Sequence, residues 1–121
     1  MTKMNKVLVI LSTILRLGVA YSQTPGLVYS KTIDSLKKVL QSEKDDTNKV
    51  NMLNELSYIF LANQKSDSAL LIASQSLPLS RKLGFKEGEG TAYLRFGYGF
   101  QLESKFDEAL KYYLRALEIF K

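Results

Sequence analysis

Cysteine, histidine and tryptophan are all missing from this chain of 121 residues, and proline occurs only twice. The lack of cysteine excludes disulfides and thiolate nucleophiles. Without histidine, zinc sites of the ordinary kind and imidazole acid-base chemistry are excluded as well. Few β-branched runs occur beyond the first 15 residues, and together with the shortage of proline this favours helices over a sheet. Dense acidic clusters are nearly lacking too. The one present, Glu43-Lys44-Asp45-Asp46, does not alternate its ligands as a calcium loop does, and it reads as a solvated turn. No residues converge on a catalytic motif, so neither an enzyme nor a bound cofactor or metal is expected.

Apolar residues make up 45% and charged residues 24%, which is ordinary globular usage and enough to build a core. Residues 1–22 have the form of a secretory signal peptide. Lys3 and Lys6 precede the apolar run Val7 to Leu15, and small residues follow at Ala20 and Ser22. Arg16 interrupts the apolar stretch well short of the ~20 residues that span a bilayer, which favours a cleaved leader over a retained anchor. Cleavage near Ser22 leaves a chain that is periplasmic or extracellular. The formal charge of +5 then shrinks: of 17 basic residues, Lys3, Lys6 and Arg16 lie in the leader, leaving 14 against 12 acidic. Those that remain are interspersed with Asp and Glu, so a nucleic-acid partner is not expected.

The mature part repeats itself. A shift of 40 residues aligns Tyr58 with Tyr98, Phe60 with Phe100, Lys65 with Lys105, Asp67 with Asp107, Ala69 with Ala109, Leu70 with Leu110 and Leu77 with Leu117. A period of this size signals stacked helical hairpins, none of which can bury its apolar face alone. Periodicity predicts helices over 31–42, 47–62, 67–83, 88–102 and 107–120, with an extended lead-in over 23–30. Gly84 is expected to cap the third of these, and Pro78 to kink or break it near residues 74–78.

In the second unit the order Tyr93-x-x-Phe96-Gly97-x-x-Phe100, followed by Ala109-x-x-x-Tyr113 and Ala116, resembles the tetratricopeptide repeat. The first unit is a weaker copy: Leu53-x-x-Leu56-Ser57-x-x-Phe60, then Ala69 and Ala73. The resemblance implies an all-α solenoid of helical hairpins, with about two repeats plus an N-terminal helix. Residues 23–47 then form the lead-in and first helix, and 48–121 the repeats, the first at about 50–89 and the second at about 90–121.

It further implies a groove lined by the first helix of each repeat, which places Asn51, Asn54, Glu55 and Tyr58 beside Thr91, Leu94, Arg95, Tyr98 and Gln101 as binding residues. The aromatic stripe Phe60, Phe96, Phe100 and Tyr113 is read as core. A lysine-rich clamp for carboxylate termini, known in some members, is not reproduced, because Asn54 and Tyr58 stand at its first positions. The leader, the turn Lys44 to Lys49 and Lys82-Leu83-Gly84-Phe85 resemble exported input regions of bacterial sensor histidine kinases. That implies an extracytoplasmic protein-binding or peptide-binding module of a signalling protein. A free exported adaptor or assembly scaffold would use the same groove, so both readings stand. The terminal helix has an apolar surface wider than one neighbour covers, so further repeats or self-association are expected through Leu110, Leu114 and Leu117.

Overall fold

The computed structural model describes residues 25–42 and 44–121, and all regular structure among them is helical. The leader reading therefore lies outside the described residues. The helices are α1 (Pro25–Ser42), α2 (Thr47–Ala62), α3 (Ser66–Lys82), α4 (Lys86–Leu102) and α5 (Phe106–Phe120). The chain divides into two compact units, residues 1–35 and 36–121, and α2 to α5 lie wholly in the second.

Two expectations are corrected. The stretch from Pro25 to Ser30 is not extended, because α1 begins at Pro25. Proline suits a first helical position, where its fixed φ is already helical and its missing N–H would have had no partner. Nor is α3 broken: it runs through Pro78 to Lys82. Pro78 and Ser74 are both exposed, so the carbonyl that loses its amide partner lies on the solvent side of the helix.

The three connections after α2, α3 and α4 are the same turn, placed 20 residues apart. In each, the last residue of the turn donates its N–H to the carbonyl five back: Lys65 to Phe60, Phe85 to Ser80 and Lys105 to Phe100, each at 2.9 Å. The residue before it is left-handed, with φ of 61° at Gln64, 65° at Gly84 and 59° at Ser104. This is the Schellman closure, and it satisfies carbonyls that a helix end would otherwise leave open. Each following helix then starts one residue later, with Asp67, Glu87 or Asp107 in its first turn, where a carboxylate meets the positive end of the helix dipole. The start of α2 is built differently: Asp46 accepts from the Lys49 N–H at 3.1 Å, and Asp45 pairs with Lys49 Nζ at 2.8 Å. The acidic turn is thus engaged in capping.

Antiparallel hairpins α2–α3 and α4–α5 stack so that α4 packs against α2, α3 and α5. What lets α4 do so is its lack of bulk. A Cβ at Gly97 would lie 2.6 Å from the Tyr113 ring of α5, and one at Gly90 would lie 2.7 Å from Phe120. On its other sides, Gly99 receives Leu70 of α3 and Gly88 receives Val50 of α2. Tyr112 stacks on Phe96 at 5.0 Å and on Phe100 at 5.5 Å between ring centroids. The ring expected in that stack was Tyr113. Tyr113 instead covers Gly97, and its neighbour Tyr112 fills the aromatic seam. Phe60 is buried in the first hairpin, while Ala109 and Ala116 are buried in the second.

Two predictions follow from these contacts. Gln64→Gly and Ser104→Gly should each raise the thermal midpoint, because a side chain in the left-handed region costs about 1–2 kcal/mol, only part of which the flexibility of glycine in the unfolded chain offsets. Gly84→Ala should lower it, at a cost of about 1 kcal/mol in stability through φ alone, since no atom stands within 4 Å of the added carbon. Equal shifts of one sign at all three positions would show that the turns do not share this backbone. Gly97→Leu should cost about 3 kcal/mol, since the added side chain must displace the Tyr113 ring. A melt of Gly97→Leu that overlays the native melt would remove the contact from the fold.

Candidate functional site

The face formed by α2 and α4 is built around a buried polar knot. Asn54 is 3% exposed, and all of its groups are engaged. Its Nδ2 donates to the Gly88 carbonyl at 3.1 Å, its Oδ1 accepts from Ser76 Oγ at 2.7 Å, and its backbone carbonyl accepts from Arg95 Nε at 2.9 Å. One residue thereby joins α2 to α3 and α4. The expectation that the Asn54 side chain faces a groove is corrected: an amide with a donor and an acceptor placed in the core is satisfied there by its neighbours.

Next to the knot stands the half-buried Arg95. Its guanidinium stacks over the Tyr58 ring at 5.1 Å, and Tyr58 is 47% exposed. Partial burial pulls the Arg95 guanidinium down from its usual value, while Glu55 and Tyr58 act in the opposite sense. Arg95 makes no ion pair within 4 Å among the described residues, although Glu55 is close enough to be felt. Nε is committed to the Asn54 carbonyl, and the two terminal nitrogens of the planar guanidinium carry the remaining donors.

The remaining predicted residues fall into a second cluster or stand apart. Tyr113 donates its hydroxyl to Gln101 Oε1 at 2.7 Å. Burial raises the Tyr113 phenol above its ordinary range, and the nearby Tyr98 adds to this. Thr91 turns its hydroxyl to the Glu87 carbonyl of its own helix, while Asn51 and Leu94 are exposed. The structure thus brings Glu55, Tyr58 and Arg95 together, and separately Tyr98, Gln101 and Tyr113.

Reasoning from spacing missed the part played by Ser76 and Gly88, which hold the floor of this face; the paired polar residues Asn54 and Ser76 on facing helices were the available signal. Two depressions of about 320 and 380 Å³ lie elsewhere, against the end of α1, α2 and α3, and share Lys49, Leu53 and Gln75. None of the predicted residues lines either one. Among the described residues, no helix is long and apolar enough to cross a membrane, and no group of three or more acidic side chains is placed to hold a metal ion.

Compared with known proteins, the chain matches no family model, no curated protein and no solved structure. What fold and face together define is a class: an all-α chain of helical hairpins repeating at 40 residues, with an aromatic and cationic surface on its first helices.

The knot gives a direct test. Asn54→Leu leaves the Gly88 carbonyl and the Ser76 hydroxyl buried without Asn54, and should cost about 2–4 kcal/mol in denaturant unfolding. Ser76→Ala removes a single partner and should cost about 1 kcal/mol. If both variants unfold at the native midpoint, the amide does not sit where the structure has it.

Proposed function

We propose that this chain is a tetratricopeptide-type module that binds a protein or peptide outside the cytoplasm, through the α2–α4 face centred on Tyr58 and Arg95, with the separate Tyr98 cluster of α4 as a second contact. The observation that carries the reading is the Arg95–Tyr58 pair: a cation held at Nε by the Asn54 carbonyl, 5.1 Å from the centre of a half-exposed tyrosine ring. Tyrosine and arginine are enriched among the residues that dominate binding energy at protein contacts: tyrosine offers wide contact area with few torsions to freeze, and arginine a planar fork of donors. An anchored guanidinium loses less entropy on binding than a free one.

The tetratricopeptide reading is supported by the 40-residue identities and by the Gly97–Tyr113 contact, which joins two of the residues that carry the resemblance. Work outside the cytoplasm is supported by residues 1–22, whose charged start, apolar centre and small-residue end suit export. The turn Lys44 to Lys49 and the Lys82 to Phe85 segment further favour the input part of a signalling protein.

The test reads stability and binding side by side. Tyr58→Ala combined with Tyr98→Ala should weaken a partner captured by the native chain at least about tenfold, as expected for the loss of two aromatic contacts. The helical circular dichroism should be unchanged. Full affinity in the folded double variant would move the site off this face. Loss of helical content would make the two tyrosines part of the seam between helices.

A further inference from the structure

The repeat shows what is missing from the two depressions beside α2 and α3. They adjoin at Lys49, Leu53 and Gln75 to make one trough, and every residue lining it belongs to the second compact unit. Shifted by 40 residues, Leu53, Ile72, Gln41 and Gln75 of its lining become Tyr93, Tyr112, Arg81 and Arg115. Those four side chains fill the equivalent space. The two rings lie 6.2 Å apart between centroids. The Arg81 guanidinium stands 5.7 Å from the Tyr93 centre and bonds its hydroxyl, and Arg115 stands 5.8 Å from Tyr93 and 5.9 Å from Tyr112. In the first hairpin all four are cut back, to a leucine, an isoleucine and two glutamines. About 320 and 380 Å³ are left open over Leu53 and Leu56, which are 3% and 0% exposed.

The charge at the rim changes as well. Glu89, which pairs with Arg81 and Lys86, is replaced by Lys49, and Leu77 by Lys37, while Lys82 stands beside Pro78 and Leu79. Asp45 is the one carboxylate of the lining, and it is bonded to Lys49 at 2.8 Å. Lys37 and Lys82 make no ion pair within 4 Å among the described residues.

We propose that this trough is a binding site for a small aromatic anion, one or two rings carrying an acidic group, seated on Leu53 and Leu56 with its charge toward Lys37, Lys49 and Lys82. The rings take the space that Tyr93 and Tyr112 take one hairpin later. Three lysines against one carboxylate select the sign of the ligand. A space of this volume, with an apolar floor and a few polar groups at its edge, has the make-up of small-molecule sites in general.

The experiment titrates anilinonaphthalene sulfonate into the full chain, beside phenylnaphthylamine, which has the same rings and no charge. One sulfonate probe should bind per chain, at least about tenfold more tightly than the uncharged one. Leu53→Tyr with Ile72→Tyr installs the rings of the second hairpin and should abolish binding while the helical circular dichroism stays native. Lys37→Gln with Lys82→Gln changes two exposed side chains and leaves the floor intact. It should weaken the sulfonate probe at least about tenfold and leave the uncharged one unmoved. The lysine pair decides the matter if the tyrosine pair prevents folding. Equal affinity for the two probes overturns the proposal, as does sulfonate binding that survives either pair of substitutions in a folded chain. So does binding that Leu110→Glu removes, since the probe would then lie on the exposed face of α5. Tyr58 and Arg95 line no part of the trough, so each outcome leaves the reading of the α2–α4 face where it was.

Discussion

Close approach to α4 is the constraint on which the rest of the structure depends. Four of its 17 residues are glycines that receive side chains from three different helices: Val50 from α2, Leu70 from α3, and Tyr113 and Phe120 from α5. Glycine is a poor choice for a helix interior, costing about 1 kcal/mol each relative to alanine. Alone, α4 would be a weak helix, with Tyr93, Phe96 and Phe100 exposed. Seated between its neighbours it becomes the centre of the core, because each missing side chain is replaced by one arriving from outside. Its helicity is therefore a product of packing, as is usual for helices of this length.

The same positions are solved differently in the first hairpin. Where α4 and α5 pair glycine with tyrosine at 97 and 113, α2 and α3 pair Ser57 with Ala73, both fully buried. Two small residues bring the helices close enough for Ser57 Oγ to bond the Ala69 carbonyl at 2.9 Å. The first hairpin thus has two small residues where the second sets a tyrosine ring against a glycine. This leaves a polar contact in the core that demands its partner, in the way Asn54 demands Gly88 and Ser76.

Helix positions were legible because the apolar period and the turn residues agree. Sequence placed α2 to α5 within two residues of their observed ends, and Gly84 marked one turn directly. The equivalent turns at Gln64 and Ser104 carry no glycine, so the 20-residue step between successive turns was hidden while the 40-residue one was plain. Pro25 begins a helix and Pro78 does not break one for the same reason: proline ends a helix only where the lost amide is needed, and neither position needs it. On the α2–α4 face, i, i+3, i+4 spacing grouped Asn54 with its exposed neighbours. Spacing assigns a residue to an arc of the helix, but the edge of an arc is where a buried side chain and an exposed one differ by a small rotation. Whether an asparagine there turns inward depends on a serine 22 residues away on another helix, which no local pattern encodes.

The repeat is directional, and its direction follows from where bulk is placed. Second helices of each hairpin, α3 and α5, carry the leucines at 70 and 110; the first helix of the second hairpin, α4, carries the glycine that receives one of them. The first helix of the first hairpin has Ile59 at the position matching Gly99, so it offers no socket. Knobs therefore point toward the C-terminal end of the stack, and the only socket aligned with them inside the unit is already filled by Leu70. This placement makes the two ends of the α2–α5 stack chemically unlike although both are built from the same repeated hairpin.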